Sequence, residues 1–271
     1  MKRFLLISLF CLNITVVLKA QTIKLFHEKK ELGFIIYANN SEVYPVSVLL
    51  DLDLTNLVFS GGEQKVFVIP AKSEKFKIGE LTVAETGGRY KFSYKFKSAI
   101  GDVTLTNYDK SFLYDLPFAK GKSYLLFQGY NGSFSHQNEN AIDFTMPEGT
   151  EVLAARDGIV VQIVKENTES CKEEECKKYN NYIMIMHSDG TFANYVHIKY
   201  NGTNLNIGDT VKKGAVIAYS GNVGWSSGPH LHFVCFVGGF GKWNSIETKF
   251  RIDKGENAIL LKEGNTYSRN Y

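Results

Sequence analysis

The chain has 271 residues, of which 44% are hydrophobic and 22% charged. That is an ordinary globular balance, with room for one large domain or two modest ones. The formal net charge is +3, but Lys2, Arg3 and Lys19 fall in the first twenty residues and the remainder is balanced, so nothing points to a nucleic-acid partner.

In chain order, Met1-Lys2-Arg3 is a short basic start and Phe4 to Leu18 is largely apolar. Ala20 is a small residue at a cleavage point before Gln21. Residues 1–20 therefore read as a signal peptide, with export to the periplasm or the medium. The apolar run is shorter than the ~20 residues of a spanning helix, so no stable membrane span is expected after its removal. Cys11 follows Phe10, not a small residue, and does not read as a lipoprotein site.

Residues 22–115 read as short strands between turns. Gly33 to Ala38, Val46 to Leu50, Lys65 to Ile69 and Tyr90 to Phe96 are apolar or alternating stretches, as half-buried strands require. A small β-sandwich is expected, with an immunoglobulin-like arrangement as one form of it. Its one histidine, His27, has no companions and reads as structural. A boundary falls between residues 110 and 125, and a second β unit runs over 120–245, followed by a C-terminal extension, 246–271. Its strands include Ile159 to Val164, Tyr182 to Met186, Phe192 to His197, Ala215 to Tyr219 and His230 to Val237. The Asp189-Gly190 turn joins two of them into a hairpin. No long amphipathic helix is predicted, and the fold class is mainly β. Cys171 and Cys176 lie close together in a polar stretch and suit a disulfide closing a small loop. Cys235, in an apolar strand, reads as a small buried hydrophobe.

Five of the six histidines lie in the second unit. In His230-Leu231-His232-Phe233, alternation puts the two imidazoles on one face and Leu231 and Phe233 on the other. Asp143, between Ile142 and Phe144, is a carboxylate in apolar company and needs a partner or a metal. With His136 and His232 it offers two nitrogens and one oxygen, leaving a fourth position for water, the layout of a catalytic zinc site. His230 and His197 remain for proton handling or oxyanion stabilisation. His187 borders the Ser188-Asp189-Gly190 turn and reads as a structural hydrogen-bonding residue. Periodicity does not by itself join these residues in space.

From about residue 128 to 240 the sequence resembles the lysostaphin/LytM-type zinc endopeptidases, the peptidoglycan DD-metalloendopeptidases. The matching stretches include His136 to Asp143-Phe144, Met146 to Thr150, Val152 to Gly158, Tyr195-Val196-His197, Ser220 to Gly224 and Ser227 to Phe233. The resemblance implies an antiparallel β-sheet metallopeptidase core with Zn2+ in a groove. It implies His136, Asp143 and His232 as metal ligands, His230 as general base, His197 assisting at the transition state, and Tyr130 steadying the oxyanion. The commoner pattern places the first histidine four residues before the aspartate. Here Glu139 stands there and His136 lies three residues further back. His136 is preferred because imidazole is the usual partner in such mixed sites, with Glu139 as the alternative. The implied activity is hydrolysis of peptide cross-links in peptidoglycan, with its stem peptides or cross-bridges as substrate. The alternative is a catalytically silent relative that regulates cell-wall enzymes, although here a full set of site residues can be assembled.

Overall fold

Alternation of aromatic and polar residues at 90–96 becomes the strand Lys91–Ile100, whose side chains alternate between exposed and half-buried over most of its length. The computed structural model describes residues 23–271; the signal-peptide reading at 1–20 lies outside them. Seven strands build the N-terminal unit: Ile23–Lys30, Gly33–Asn40, Val46–Thr55, Leu57–Phe59, Val66–Ile69, Ser73–Val83 and Lys91–Ile100. They form a four-stranded sheet, in the order first, second, sixth, fourth, and a three-stranded sheet, in the order fifth, third, seventh. Ile36, Leu81 and Phe59 from one sheet share a buried cluster with Val48, Leu50 and Phe67 from the other, and the rings of Phe59 and Phe67 meet edge to face at 6.1 Å. The sandwich is therefore present. Its strand order is not that of an immunoglobulin domain, where the fifth strand joins the first sheet and the sixth is the centre of the second. His27 packs edge-on against Phe34 and Phe92, a structural position.

The second unit is dominated by a nine-stranded antiparallel sheet. Its path runs Thr210–Val211, Gly158–Val164, Tyr182–Met186, Phe192–Val196, Leu231–Val237, Ala141–Phe144, Lys122–Gln128 and Thr266–Arg269, with Asn244–Ile246 paired beside Leu231–Val237. The C-terminal residues are woven into this unit. Thr266–Arg269 is hydrogen-bonded to Lys122–Gln128, and Lys249–Ile252 pairs with Leu113–Tyr114. The one described helix is a six-residue 3-10 turn, Glu174–Tyr179, and no described helix is long and apolar enough to cross a membrane.

The two faces of this sheet have different fates, and that difference positions the site. Ile183, Ile185, Ala193, Tyr195, Leu231, Phe233 and Cys235 point into one large core with Tyr114, Phe118 and Phe250. Burial of a side chain such as Phe233 stabilises the fold by about 1.5–3 kcal/mol. On the opposite face Met184, Phe192 and Phe236 join the sandwich's own cluster, with Tyr44 of the sandwich set edge-on to Phe192. The sandwich thus covers one end of the face. The other end, carrying Val196, His232 and Val234, is left open as a cleft.

Candidate metal centre

Strand register brings the candidate ligands together. Asp143 stands opposite His232 and, on its other side, opposite Gln128. His232 stands in turn opposite Val196, the last residue before His197 in its strand. His136 reaches the same point from the loop before Asp143. That loop closes through the hydrogen bonds from Asn131 N to Glu139 O and from Glu139 N to His136 O, with Asn131 and Asn138 in left-handed conformation at φ 56° and 58°. Asparagine tolerates that conformation better than most residues. The three extra residues are taken up in this turn, and the imidazole of His136 is delivered to Asp143.

The contacts are short. His136 Nε2 lies 3.2 Å from Asp143 Oδ2 and 3.2 Å from His232 Nδ1, and His232 Nδ1 lies 3.0 Å from Asp143 Oδ1. One ligand atom from each residue falls within 4.8 Å of the others, a set that can hold a metal ion. Glu139 lines the same cleft without belonging to that set. His136 and Asp143 are 1% and 3% exposed. Burial opposes the charge on Asp143, but hydrogen bonds from His136 and His232 outweigh it and hold the carboxyl well below its usual range.

Backbone carbonyls fix the protonation pattern of the other rings, because a carbonyl only accepts. His136 Nδ1 donates to Gly129 O at 3.1 Å. His197 Nδ1 donates to Val223 O at 2.8 Å, and His230 Nδ1 to Gly228 O at 2.8 Å. The Nε2 of His136 faces the Asp143 carboxylate, whereas His197 and His230 in their neutral forms thereby present a lone pair at Nε2. His230 directs that atom to within 3.9 Å of Asp143 Oδ1, and its ring lies 4.4 Å from that of His197. Burial pushes His197 down to about 3, helped by His230 and His232. Burial also lowers His230. His197 adopts φ 64°, a costly conformation for a residue with a side chain, and the reversal of the chain there turns its ring back toward His230.

The glycines quoted in the motif stretches explain this framework. A Cβ on Gly221 would sit 2.7 Å from Lys199 Cα and 3.0 Å from the His197 carbonyl. Gly221 therefore lets its loop press against the turn at His197 while bridging to His230. Gly224, at φ 91°, would drive a Cβ into Asn180. Ser226 Oγ stands 3.1 Å from His230 Nδ1 and seats that ring.

Two site residues carry no signal in the sequence. Gln128 donates to Asp143 Oδ2 at 2.8 Å and accepts from the backbone N–H groups of Phe134 and Ser135, tying the carboxylate to the loop that carries His136. Trp225 forms part of the cleft wall. Its indole N–H donates to Lys172 O, and Lys177 lies 4.6 Å over its ring. Lys172 lies within the loop closed by the Cys171–Cys176 disulfide and Lys177 directly follows it; the disulfide is present as expected. Tyr130 is placed otherwise than expected. Its hydroxyl donates to Thr248 O at 2.7 Å, its ring packs on the large core, and it is not among the residues lining the cleft. His187 is buried and donates to Asp157 O, and Cys235 is a buried free thiol. The cleft has a volume of about 340 Å³.

Comparison with known proteins places residues 137–241 in a match to peptidase family M23. The glycyl-glycine endopeptidase ALE-1 of Staphylococcus capitis is 28% identical over 180 residues, 64% of this chain and 45% of the relative. The peptidoglycan DD-endopeptidase ShyA of Vibrio cholerae is 33% identical over 100 residues, 37% of this chain and 20% of the relative. The match thus spans less than half the length of either relative. Among solved structures, the catalytic domain of lysostaphin from Staphylococcus simulans aligns with a TM-score of 0.33 and 26% identity, covering 51% of this chain and 87% of that one.

Proposed function

From the match of residues 137–241 to peptidase family M23 we propose that the chain is an exported zinc endopeptidase of that family that cleaves peptide cross-links of peptidoglycan. The observation that carries this reading is a convergence of ligand atoms. The Nε2 of His136, the Asp143 carboxylate and the Nδ1 of His232 face one another at 3.0–3.2 Å. A cation that displaces the protons shared among them would be held by all three atoms. A tetrahedral zinc bound at about 2.0–2.1 Å separates its ligand atoms by about 3.3 Å, so the donor set fits that ion.

His136, Asp143 and His232 would hold the zinc, which when bound would supply acidification of water and polarisation of the scissile carbonyl. The protein's own groups do the rest. His230 Nε2, kept as an acceptor by the Gly228 carbonyl, takes the proton from the attacking water and returns it to the leaving amine. His197, whose Nδ1–H is committed to Val223 O, lies with its ring 4.4 Å from that of His230 and assists at the transition state by orienting the attacking water through its Nε2 lone pair. Tyr130 has no part in this reading, because its hydroxyl is committed to Thr248. Export is supported by the basic-apolar-small pattern of residues 1–20 and by the disulfide. Purified residues 21–271 are expected to release amino groups from peptidoglycan. A chelator should stop the reaction and added zinc restore it. Absence of amine release from zinc-loaded protein would overturn the reading.

A further inference from the structure

On the open face of the sheet, one side chain stands out beyond the five already assigned. Asn194 is 5% exposed and lines the cleft, yet its buried Oδ1 has no hydrogen-bond partner among the described residues. Its cross-strand neighbours are Met184 on one side and Val234 on the other. Neither side chain carries a donor that could satisfy an amide oxygen. A buried amide left in this way costs stability, so its place in a binding cleft calls for a ligand.

The geometry narrows what that ligand is. Val196 and His232 form one rung of the sheet, and Asn194 and Val234 form the next rung facing the same side. Two residues of strand advance about 6.6 Å, the repeat of an extended peptide lying along it. A carboxamide offers both an acceptor and a donor, complementary to the N–H and C=O of a peptide unit. In the same direction the cleft opens into a groove of about 760 Å³ that Val234 and Trp243 share with Tyr44 of the sandwich.

We propose that Asn194 is a substrate-positioning residue that hydrogen-bonds a peptide group of an extended substrate about two residues from the scissile bond, on the side toward the sandwich. The inference rests on the peptidase reading above. Asn194 holds the chain in line with His230 and His232 and takes no part in the proton transfers.

The test compares zinc-loaded wild type with Asn194→Leu, a change of similar volume. Hydrolysis is measured on a synthetic cross-link peptide and on versions shortened to the cleaved residue at either end. The wild type should prefer the full peptide over one of the shortened forms, and Asn194→Leu should lose about 10- to 100-fold of that preference, mainly in KM. Its zinc content should match the wild type, and its Tm should be equal or higher, because an unpaired buried polar group has been removed. An undiminished preference, or a Tm lowered by several degrees with an unchanged KM, would overturn the assignment while leaving the peptidase reading standing. Failure of the wild type to cleave any of the peptides would overturn both.

Discussion

The sandwich and the unit that follows it are built from the same antiparallel pleat, yet they treat buried polar groups differently. In the described part of the sandwich the buried polar side chains are Asn40 and Ser47, and both turn back on backbone. Asn40 donates to the carbonyls of Tyr44, Ile69 and Pro70, and Ser47 donates to Gly101 O. In the second unit Gln128, His136, Asp143, Asn194, His197 and His230 are all buried and all lie in or beside one cleft. Gln128, His136, Asp143, His197 and His230 face other polar side chains as well as the main chain, and the Asn194 carbonyl oxygen faces no partner among the described residues. Buried polarity satisfied locally holds a fold together. Buried polarity that converges and is left incomplete marks where a fold binds something.

The contrast can be broken most sharply at His232. His232→Ala should lose both bound metal and turnover, whereas His230→Ala should keep the metal and lose about 10²–10⁴-fold in kcat. Metal analysis beside amine release separates the two. At Gln128, which grips Asp143 and the His136 loop together, Gln128→Ala should weaken metal affinity by about 10- to 100-fold, read by competition with a chelator.

A buried polar group outside the cleft should act on stability alone. Burial pushes His187 down to about 4. The unfolded chain takes up this proton below about 6.5 and the folded one only below about 4. Its contribution is therefore present above about 6.5 and drains away as the pH falls toward 4, about 3 kcal/mol in all. Denaturant unfolding at pH 7 and at pH 4.5 should show a smaller loss on acidification in His187→Gln than in wild type. In the sandwich, Asn40→Ala strands three carbonyls and should cost about 1–3 kcal/mol, with kcat/KM within about twofold of wild type.

What the sequence disclosed divides along the same line. Alternation placed His230 and His232 on one face, and the resemblance brought in His136, Asp143 and His197. Gln128 and Asn194 were invisible, because their roles depend on cross-strand neighbours, Asp143 for one and Met184 and Val234 for the other. The strand Thr266–Arg269 pairs with residues more than 130 positions earlier, so a short run of mixed residues looked like an extension. Tyr130 lies outside the cleft lining with its hydroxyl on Thr248, a partner likewise remote in sequence and so not readable from it. The sandwich was legible from its alternation; its strand order was not, since alternation specifies faces and leaves pairing open.

The central claim is that the loop before Asp143 delivers His136, not Glu139, to the metal. Zinc content measured by elemental mass spectrometry on purified wild type, His136→Ala and Glu139→Ala tests it directly. We predict about one zinc per chain in the wild type and in Glu139→Ala, and almost none in His136→Ala, as two of three protein ligands hold the ion poorly. Zinc retained by His136→Ala and lost from Glu139→Ala would contradict the account.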